Sequence, residues 1–202
     1  KPELAAKQEF LDSLNESSQA AVSLLDNLLY WGRVESDSLK TNPVQLDMDK
    51  LISEVQTLYA YIAQQKGVRL ISEVAAGLSL RTDRSLITIM IRNLVSNALK
   101  FTPSGGEVRV KAWKEDKRVR LSVQDTGVGI HEESLQLLRE KGSLDSTEGT
   151  DKEVGTGLGL RLVHELMDRC GGELDIESSV GKGSTFTISL PSDINEKAYE
   201  HT

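Results

Sequence analysis

The sequence contains a single cysteine, Cys170, which excludes a disulfide framework and any cysteine-based zinc site. No run approaches the roughly 18 consecutive apolar residues that a membrane-spanning helix requires. Basic residues are not in excess, because 24 lysines and arginines face 31 acidic residues, and the net charge of −7 argues against a general nucleic-acid binder. The chain has no signal peptide and begins at Lys1 instead of methionine. We therefore expect it to be a fragment of a longer protein.

Proline is also scarce, with four residues, whereas glycine occurs 16 times in the 202 residues. Eleven of those glycines lie between Gly127 and Gly183, and this crowding is the first indication of a functional site. Hydrophobic residues make up 38% of the chain and charged residues 27%, a composition that predicts a folded core and not a disordered chain. The length fits one domain, or one domain with a helical appendage.

The first segment is predicted to be one long helix over residues 3–34. Apolar and small residues recur there at alternating spacings of three and four, and no proline or glycine interrupts the pattern before Gly32. The apolar stripe is wider than a lone helix needs, which favours packing in a helical bundle. A helix docked on its own domain is the alternative. The polar residues 35–46, which include Pro43, are interpreted as a linker or an extended segment.

The remaining sequence predicts an alternation of helices and strands. Asp47 or Asp49 can cap a helix that stops at Gly67, and Asp83 can cap a helix over 84–101. Shorter helices are predicted at 132–139 and 158–169, and strands at 68–73, 78–81, 107–113, 118–125, 173–178 and 184–190.

The helix 84–101 carries an unusual polar face. At 100° per residue, Asn93, Asn97 and Lys100 fall within about 60° of arc. Asparagine is unfavourable inside a helix because its side chain competes for backbone hydrogen bonds. Amide oxygens suit Mg²⁺, and an ammonium group suits phosphate, so this face is a candidate for a nucleotide site. A hydrogen-bonded core amide, or a solvated stripe, remains the alternative at this point.

Two glycine motifs follow this helix. DTGVGI (125–130) comes directly after a predicted strand, where a carboxylate can accept from an exocyclic amine and glycines allow close approach of a flat base. GTGLGL (155–160) opens a helix whose N–H groups can bind an anion. Taken alone, each motif is equally compatible with a simple glycine turn. A dinucleotide-binding βαβ unit is rejected, since a polar loop and not a strand precedes GTGLGL.

The order of these motifs resembles the catalytic domain of sensor histidine kinases, a branch of the ATPase superfamily that includes gyrase and mismatch-repair ATPases. NLVSNALKFT (93–102) resembles the N box, DTGVGI and GTGLGL resemble the two glycine boxes, and GKGSTFTISLP (181–191) resembles the closing strand motif. The resemblance covers about 47–191. It implies an α/β two-layer sandwich, with a mixed sheet of about five strands covered on one face by three helices, preceded by a long bundle-forming helix.

The resemblance also implies ATP and Mg²⁺ as ligands. Asn97 would be the main Mg²⁺ ligand with Asn93 beside it, Lys100 would contact phosphate, and Phe101 would lie beside the nucleotide. Asp125 would accept from the adenine amine. The full set implied for the nucleotide site is Asn93, Asn97, Lys100, Phe101, Asp125, Gly127, Gly129, Ile130, Gly155, Thr156, Gly157, Leu158, Gly159, Leu160 and Thr185, the last near the adenine-side water network.

Three domains are expected. Residues 1–40 resemble the second helix of the dimerisation and phosphotransfer domain, residues 41–192 the catalytic domain with a mobile lid at 131–156, and residues 193–202 a tail. The helix that carries the phosphoacceptor histidine is absent. Ile89 stands where the family often has a polar or acidic residue, which leaves the Mg²⁺ affinity open. The histidines at 131, 164 and 201 lack the acceptor pattern and are interpreted as structural or solvated.

The sequence therefore predicts the ATP-binding core of a protein-histidine kinase, which phosphorylates a histidine outside this fragment and thence an aspartate of a response-regulator receiver domain. The intact protein would be a homodimer through the bundle, with a cytoplasmic catalytic portion, no nucleic-acid partner, and membrane contact only through upstream segments. Two alternatives are an ATP-hydrolysing clamp of the gyrase or mismatch-repair kind, and a non-catalytic dimerisation scaffold.

Overall fold

The computed structural model of the chain describes residues 42–141, 149–151 and 157–192, together with Leu25 and Gly32. The chain divides into two units, residues 1–40 and residues 41–202. In the first unit the two described residues, Leu25 and Gly32, are both helical. The rest of the predicted helix 3–34 lies outside the described residues, as does the predicted tail.

The second unit alternates strands and helices in the part that the structure describes. In chain order the elements are β1 (Pro43–Asp47), α1 (Met48–Lys66), β2 (Arg69–Val74), β3 (Ser79–Asp83), α2 (Arg84–Phe101), β4 (Glu107–Glu115), β5 (Arg118–Asp125), α3 (Glu132–Lys141), α4 (Leu158–Arg169), β6 (Glu173–Ser179) and β7 (Gly183–Pro191).

Five of the strands form a mixed sheet in the order β2-β4-β5-β7-β6. The β2–β4 pair is parallel and the other three pairs are antiparallel. This confirms the predicted mixed sheet of about five strands, and the four helices predicted for this part of the chain are present. Strands β1 and β3 pair separately as a two-stranded antiparallel ribbon. The segment interpreted as a linker or extended chain therefore ends in a strand.

Local capping explains where the two longest described helices begin and end. The Asp47 carboxylate accepts from the N–H groups of the next turn and starts α1. Gly67, at φ 67°, ends that helix in the left-handed conformation that glycine adopts at little cost. Asp83 starts α2 in the same way, accepting from the Ser85 N–H at 2.8 Å. Each of these helix boundaries matches a cap that the sequence predicts.

Strand register places alternate residues on one covered face of the sheet. Val110 of β4 pairs with Val123 of β5, which in turn pairs with Phe186 of β7, and all three are buried. Apolar residues of α2 and α4, such as Leu94 and Leu162, complete this core. The same alternation continues to the last pair of the β4–β5 ladder, Val108 and Asp125. A carboxylate therefore stands on the apolar face of the sheet, at the end of a strand.

Within the described part of the chain, none of the helices combines the length and the apolar composition that a membrane crossing requires.

Candidate functional site

The polar face of α2 meets the start of α4. Asn93 is only 9% exposed, and its side-chain amide donates to the Ile89 carbonyl at 2.9 Å. Its carboxamide oxygen faces Gly159, where an added Cβ would lie 2.6 Å from Oδ1. Glycine at 159 thus allows the first turn of α4 to rest directly on Asn93. This contact joins the predicted N box to the second glycine motif.

Asn97 and Lys100 lie further along the same helix, at i+4 and i+7 from Asn93, and both are half-buried. The Lys100 ammonium lies 4.7 Å from the centre of the Phe101 ring, a cation–π distance. One helix face therefore presents an amide and an ammonium group beside an aromatic ring. Amide oxygens and ammonium groups are suited to a divalent cation and to phosphate, respectively.

Asp125 forms a second part of the site. Its carboxylate is 4% exposed and accepts from the Gly127 N–H at 2.8 Å and the Ser184 N–H at 3.2 Å, both on Oδ1. Burial raises the pKa of Asp125 above its ordinary range, while the hydrogen bonds from Gly127 and Ser184 act in the opposite direction. Two donors on Oδ1 fix the orientation of the carboxylate at the end of β5.

Two glycines are required by close backbone approach around Asp125. An added Cβ on Gly127 would lie 2.3 Å from the Phe101 carbonyl oxygen, so this glycine lets the loop after β5 pack on the end of α2. Gly183, at φ 95°, would place a Cβ 2.0 Å from the Asp125 carbonyl oxygen. The predicted N box, first glycine motif and closing strand motif therefore converge on one small region.

The first glycine loop is also fastened to the β6–β7 hairpin. The Ile130 N–H donates to the Ser178 hydroxyl at 2.9 Å, and Ser178 Oγ lies 3.0 Å from Ser184 Oγ. Gly129 packs against the backbone of Ser179. These contacts hold the far side of the loop in place next to Asp125.

Thr185, predicted near the adenine side, and its neighbour Ser184 lie on opposite faces of the sheet. Thr185 pairs with Gln124 and lies on the open face of the sheet, opposite to Asp125. Ser184 lies on the covered face and contacts the Asp125 carboxylate through its N–H. The signal was available in the alternation of β7, because residue 184 shares the phase of the apolar Phe186 and Ile188.

The second glycine motif lies at the start of α4. Gly157 is the N-cap of that helix at φ 69°, in the left-handed conformation. No acidic residue stands in the first turn, a composition that suits an anion at the positive end of the helix dipole. Leu158 and Leu160 are half-buried. Gly155 and Thr156 lie outside the described residues, as do 142–148 and 152–154 of the predicted lid, whereas α3 occupies its first part.

The departures from the family pattern have clear positions. Ile89 is buried at 8% exposure, and its carbonyl accepts from the Asn93 side-chain amide. His131 is exposed, and its carbonyl accepts from the Leu135 N–H at 2.8 Å. His164 lies 3.4 Å from Asp168 on α4. Cys170 is buried.

Residues 82–194 match the family model described as histidine kinase-, DNA gyrase B- and HSP90-like ATPase. Among curated proteins, the chain is 34% identical over 185 residues to the histidine protein kinase DivJ of Caulobacter vibrioides, covering 91% of this chain and 31% of that protein. It is 32% identical over 198 residues to the sensor protein GacS of Pseudomonas syringae, covering 94% of this chain and 22% of that protein. The chain thus spans about a third or less of these relatives.

Solved structures give the same result. The catalytic domain of histidine kinase ThkA aligns with a TM-score of 0.66 at 27% identity, covering 77% of this chain and 99% of that one. Full-length ShkA in complex with AMPPNP aligns with a TM-score of 0.73 at 27% identity, covering 93% of this chain and 39% of that one. With its motifs in family order, the chain belongs to the histidine kinase-, DNA gyrase B- and HSP90-like ATPase family, and the proteins with which it aligns include histidine kinases.

Proposed function

We propose that this chain binds Mg-ATP and supplies its γ-phosphoryl group to a histidine outside residues 1–202, from which the group passes to an aspartate of a response-regulator receiver domain. The observation that carries the proposal is the convergence of three motifs. The buried Asp125 carboxylate, the Asn-bearing face of α2 and the start of α4 border one region, joined by the contacts of Gly127 and Gly159.

The adenine end of the proposed site is at Asp125. Its Oδ1 already accepts from two backbone N–H groups, so Oδ2 is the atom we assign to the exocyclic amine of adenine. Gly127 and Gly129 have no side chains, so a flat base can approach the loop beside this carboxylate closely. Ser184, in place of Thr185, is the residue that we assign to the polar contacts on this side.

The phosphate end is proposed to lie between α2 and α4. Lys100 provides a positive charge, and the start of α4 at Gly157 offers a helix N-terminus to the phosphates. Phosphoryl transfer depends mainly on positioning and charge neutralisation, which are the tasks that these groups can perform.

The proposed metal is Mg²⁺, with Asn97 as its main protein ligand and Asn93 beside it. The described residues contain no cluster of three or more His, Cys, Asp or Glu side chains placed to hold a metal ion. Amide oxygens, phosphate oxygens and water together match the usual coordination of Mg²⁺, which is bound by few protein groups. The Asn93 oxygen is buried against Gly159, whereas Asn97 is half-buried, so Asn97 is the better placed of the two. When bound, Mg²⁺ would neutralise charge on the transferring phosphoryl group.

The partners follow from the same proposal. ThkA has also been solved in complex with the response regulator protein TrrA. We propose a receiver domain as the acceptor for this chain as well, and a homodimer of the intact protein through the helix that includes Leu25 and Gly32.

The proposal is tested by radiolabelled phosphotransfer. The chain is incubated with labelled Mg-ATP alone, and then with a separate helical-hairpin protein that carries an acceptor histidine. We expect Mg-dependent ATP binding, no acid-labile label on the chain itself, and labelling of the acceptor protein. Steady ATP hydrolysis without any acceptor would favour a gyrase-like clamp, and the absence of nucleotide binding would favour a scaffold. Acid-labile label on the chain alone would contradict the assignment of the acceptor to another segment.

A further inference from the structure

The carbonyl end of α2 is held by a charged side chain from α1. The last turn of a helix leaves carbonyl groups without partners in the helix, and a positive group there also complements the helix dipole. The Lys66 ammonium donates to the Leu99 carbonyl at 2.9 Å and to the Lys100 carbonyl at 2.8 Å. Lys66 is the last residue of α1, so it joins the ends of the two helices.

A second group reaches the same carbonyl from the connection between α3 and α4. Thr150 is half-buried, and both its N–H and its hydroxyl lie 3.1 Å from the Lys100 carbonyl oxygen. The hydroxyl also lies 3.2 Å from the Thr102 carbonyl oxygen. A hydroxyl has one proton, so it is shared between these two acceptors.

The carbonyl of Phe101, between those of Lys100 and Thr102, also accepts a hydrogen bond. The Phe101 carbonyl accepts from the Val128 N–H at 3.2 Å, in the first glycine loop. Three consecutive carbonyls, at 100–102, thus receive donors from α1, from the loop after β5 and from Thr150. The three donors come from segments that are distant from one another in the sequence. Two of the acceptor carbonyls belong to Lys100 and Phe101, and the side chains of these residues belong to the proposed nucleotide site.

We propose that Thr150 is a positioning residue for nucleotide binding, and that it acts with Lys66 through the Lys100 carbonyl. Together they fix the last turn of α2 and hence the direction in which Lys100 projects towards the phosphates. This rests on the proposed function and extends it, because neither residue belongs to the N box or the glycine motifs. In this proposal, the hydrogen bonds of Thr150 attach the middle of the α3–α4 connection to the helix that carries Lys100.

The hydroxyl is tested by two substitutions of Thr150. Thr150→Val keeps the shape and the N–H but removes the hydroxyl, whereas Thr150→Ser keeps the hydroxyl. We expect Thr150→Val to weaken Mg-ATP binding by about threefold to tenfold, the range that the loss of one hydrogen bond produces. Thr150→Ser should remain within about twofold of the wild-type affinity, since its hydrogen bond is kept. Binding is measured by calorimetric titration.

The same titrations with adenosine separate positioning from general damage. Lys100 is proposed to contact phosphate and not the base, so adenosine affinity should be nearly equal in all three proteins. Equal losses for ATP and adenosine, an unchanged Thr150→Val protein, or a Thr150→Ser protein as weak as Thr150→Val would each overturn the proposal. Failure of the wild-type chain to bind ATP would instead overturn the proposed function on which it rests.

Substitutions of Lys66 provide an independent test of the proposal. Lys66→Met should weaken Mg-ATP binding, and Lys66→Arg should restore part of it because the guanidinium keeps donors and charge. Since Lys66 and Thr150 act on one acceptor, the losses of Lys66→Met and Thr150→Val should not add in the double variant. Additive losses would contradict the shared carbonyl. Unfolding midpoints measured beside each titration identify any variant that is merely unstable.

Discussion

Asp125 is a carboxylate on the apolar face of a sheet, so its ionisation is linked to folding. Burial raises the pKa of Asp125 from its ordinary value of 3.8. The folded chain then binds this proton more tightly than the unfolded chain. Stability contributed by this group is therefore lost as pH rises from the ordinary value through the raised one, and the cost of the buried charge is fully present above that window.

The substitution Asp125→Asn removes this charge while it keeps an oxygen that can accept from Gly127 and Ser184. We expect the variant to gain stability relative to the wild type as the pH rises from about 4 to 7, since only the wild type pays the cost of ionisation. Urea unfolding of both proteins across this pH range measures the difference. A stability of the variant relative to the wild type that stays constant, or falls as the pH rises, would contradict this prediction.

The same variant should lose selectivity for the base. Its carboxamide can present an N–H group to the exocyclic amine of adenine where the carboxylate presents an acceptor. We expect the preference for ATP over GTP to fall in a competition titration. Equal ATP and GTP competition in both the wild type and the variant would refute the adenine assignment.

The two asparagines of α2 should differ in what their removal costs. Asn97→Ala should greatly weaken Mg-ATP binding and leave the unfolding midpoint nearly unchanged, because Asn97 is half-buried and is proposed as a metal ligand. Asn93→Ala should also lower stability, since it removes a buried amide that contacts Ile89 and Gly159. Titrations with and without Mg²⁺ check both variants. Unchanged nucleotide affinity in Asn97→Ala would remove its metal assignment.

At the scale of elements, the β6–β7 turn contains a pair of glycines with different surroundings. Gly183 has φ 95° and would place a Cβ against the Asp125 backbone, whereas Gly181 has φ 75° and has nothing within 4 Å of the added atom. We expect Gly183→Ala to destabilise the fold by about 3 kcal/mol, from conformational strain and overpacking together. The matched change Gly181→Ala should cost about 1 kcal/mol, from strain alone. Denaturant unfolding distinguishes them, and equal losses would argue against close packing at Gly183.

Elements governed by local chemistry were predictable from the sequence. Asp83 and Gly67 set helix boundaries through contacts a few residues away, and the alternation of β4 and β5 predicts one apolar face. The sequence did not distinguish strand β1 from a linker, because its pairing partner β3 lies some 36 positions away and Pro43 weakens the local strand signal. Its identity depends on a long-range partner.

The site shows the same division. The motif glycines and the asparagines could be named from their pattern, whereas the contacts of Gly127, Gly159 and Gly183 are seen only in the structure. The sequence analysis named Thr185, whereas its neighbour Ser184 is the residue on the same face of the strand as the apolar residues of β7. Thr150 was missed because its partner, the Lys100 carbonyl, is 50 residues away and a backbone acceptor leaves no trace in sequence.

At the scale of the whole molecule, the site draws on four separate stretches of chain. The α2 face, the loop after β5, the start of α4 and the β6–β7 hairpin approach one another only when the sheet and the helical layer are both assembled. Nucleotide binding at the proposed site therefore requires these four stretches to be folded together. A ligand that binds only this state stabilises the entire fold by mass action.

The pairing of Val108 with Asp125 closes the β4–β5 ladder. A slip of one residue between these strands would turn Asp125 to the opposite face and bring Gln124 into its place. Such a chain would retain a sheet and helices, but the amide of Gln124 would stand where the proposed adenine site needs the carboxylate of Asp125. ATP bound at the proposed site would therefore stabilise only the molecules whose β4–β5 ladder has the native register.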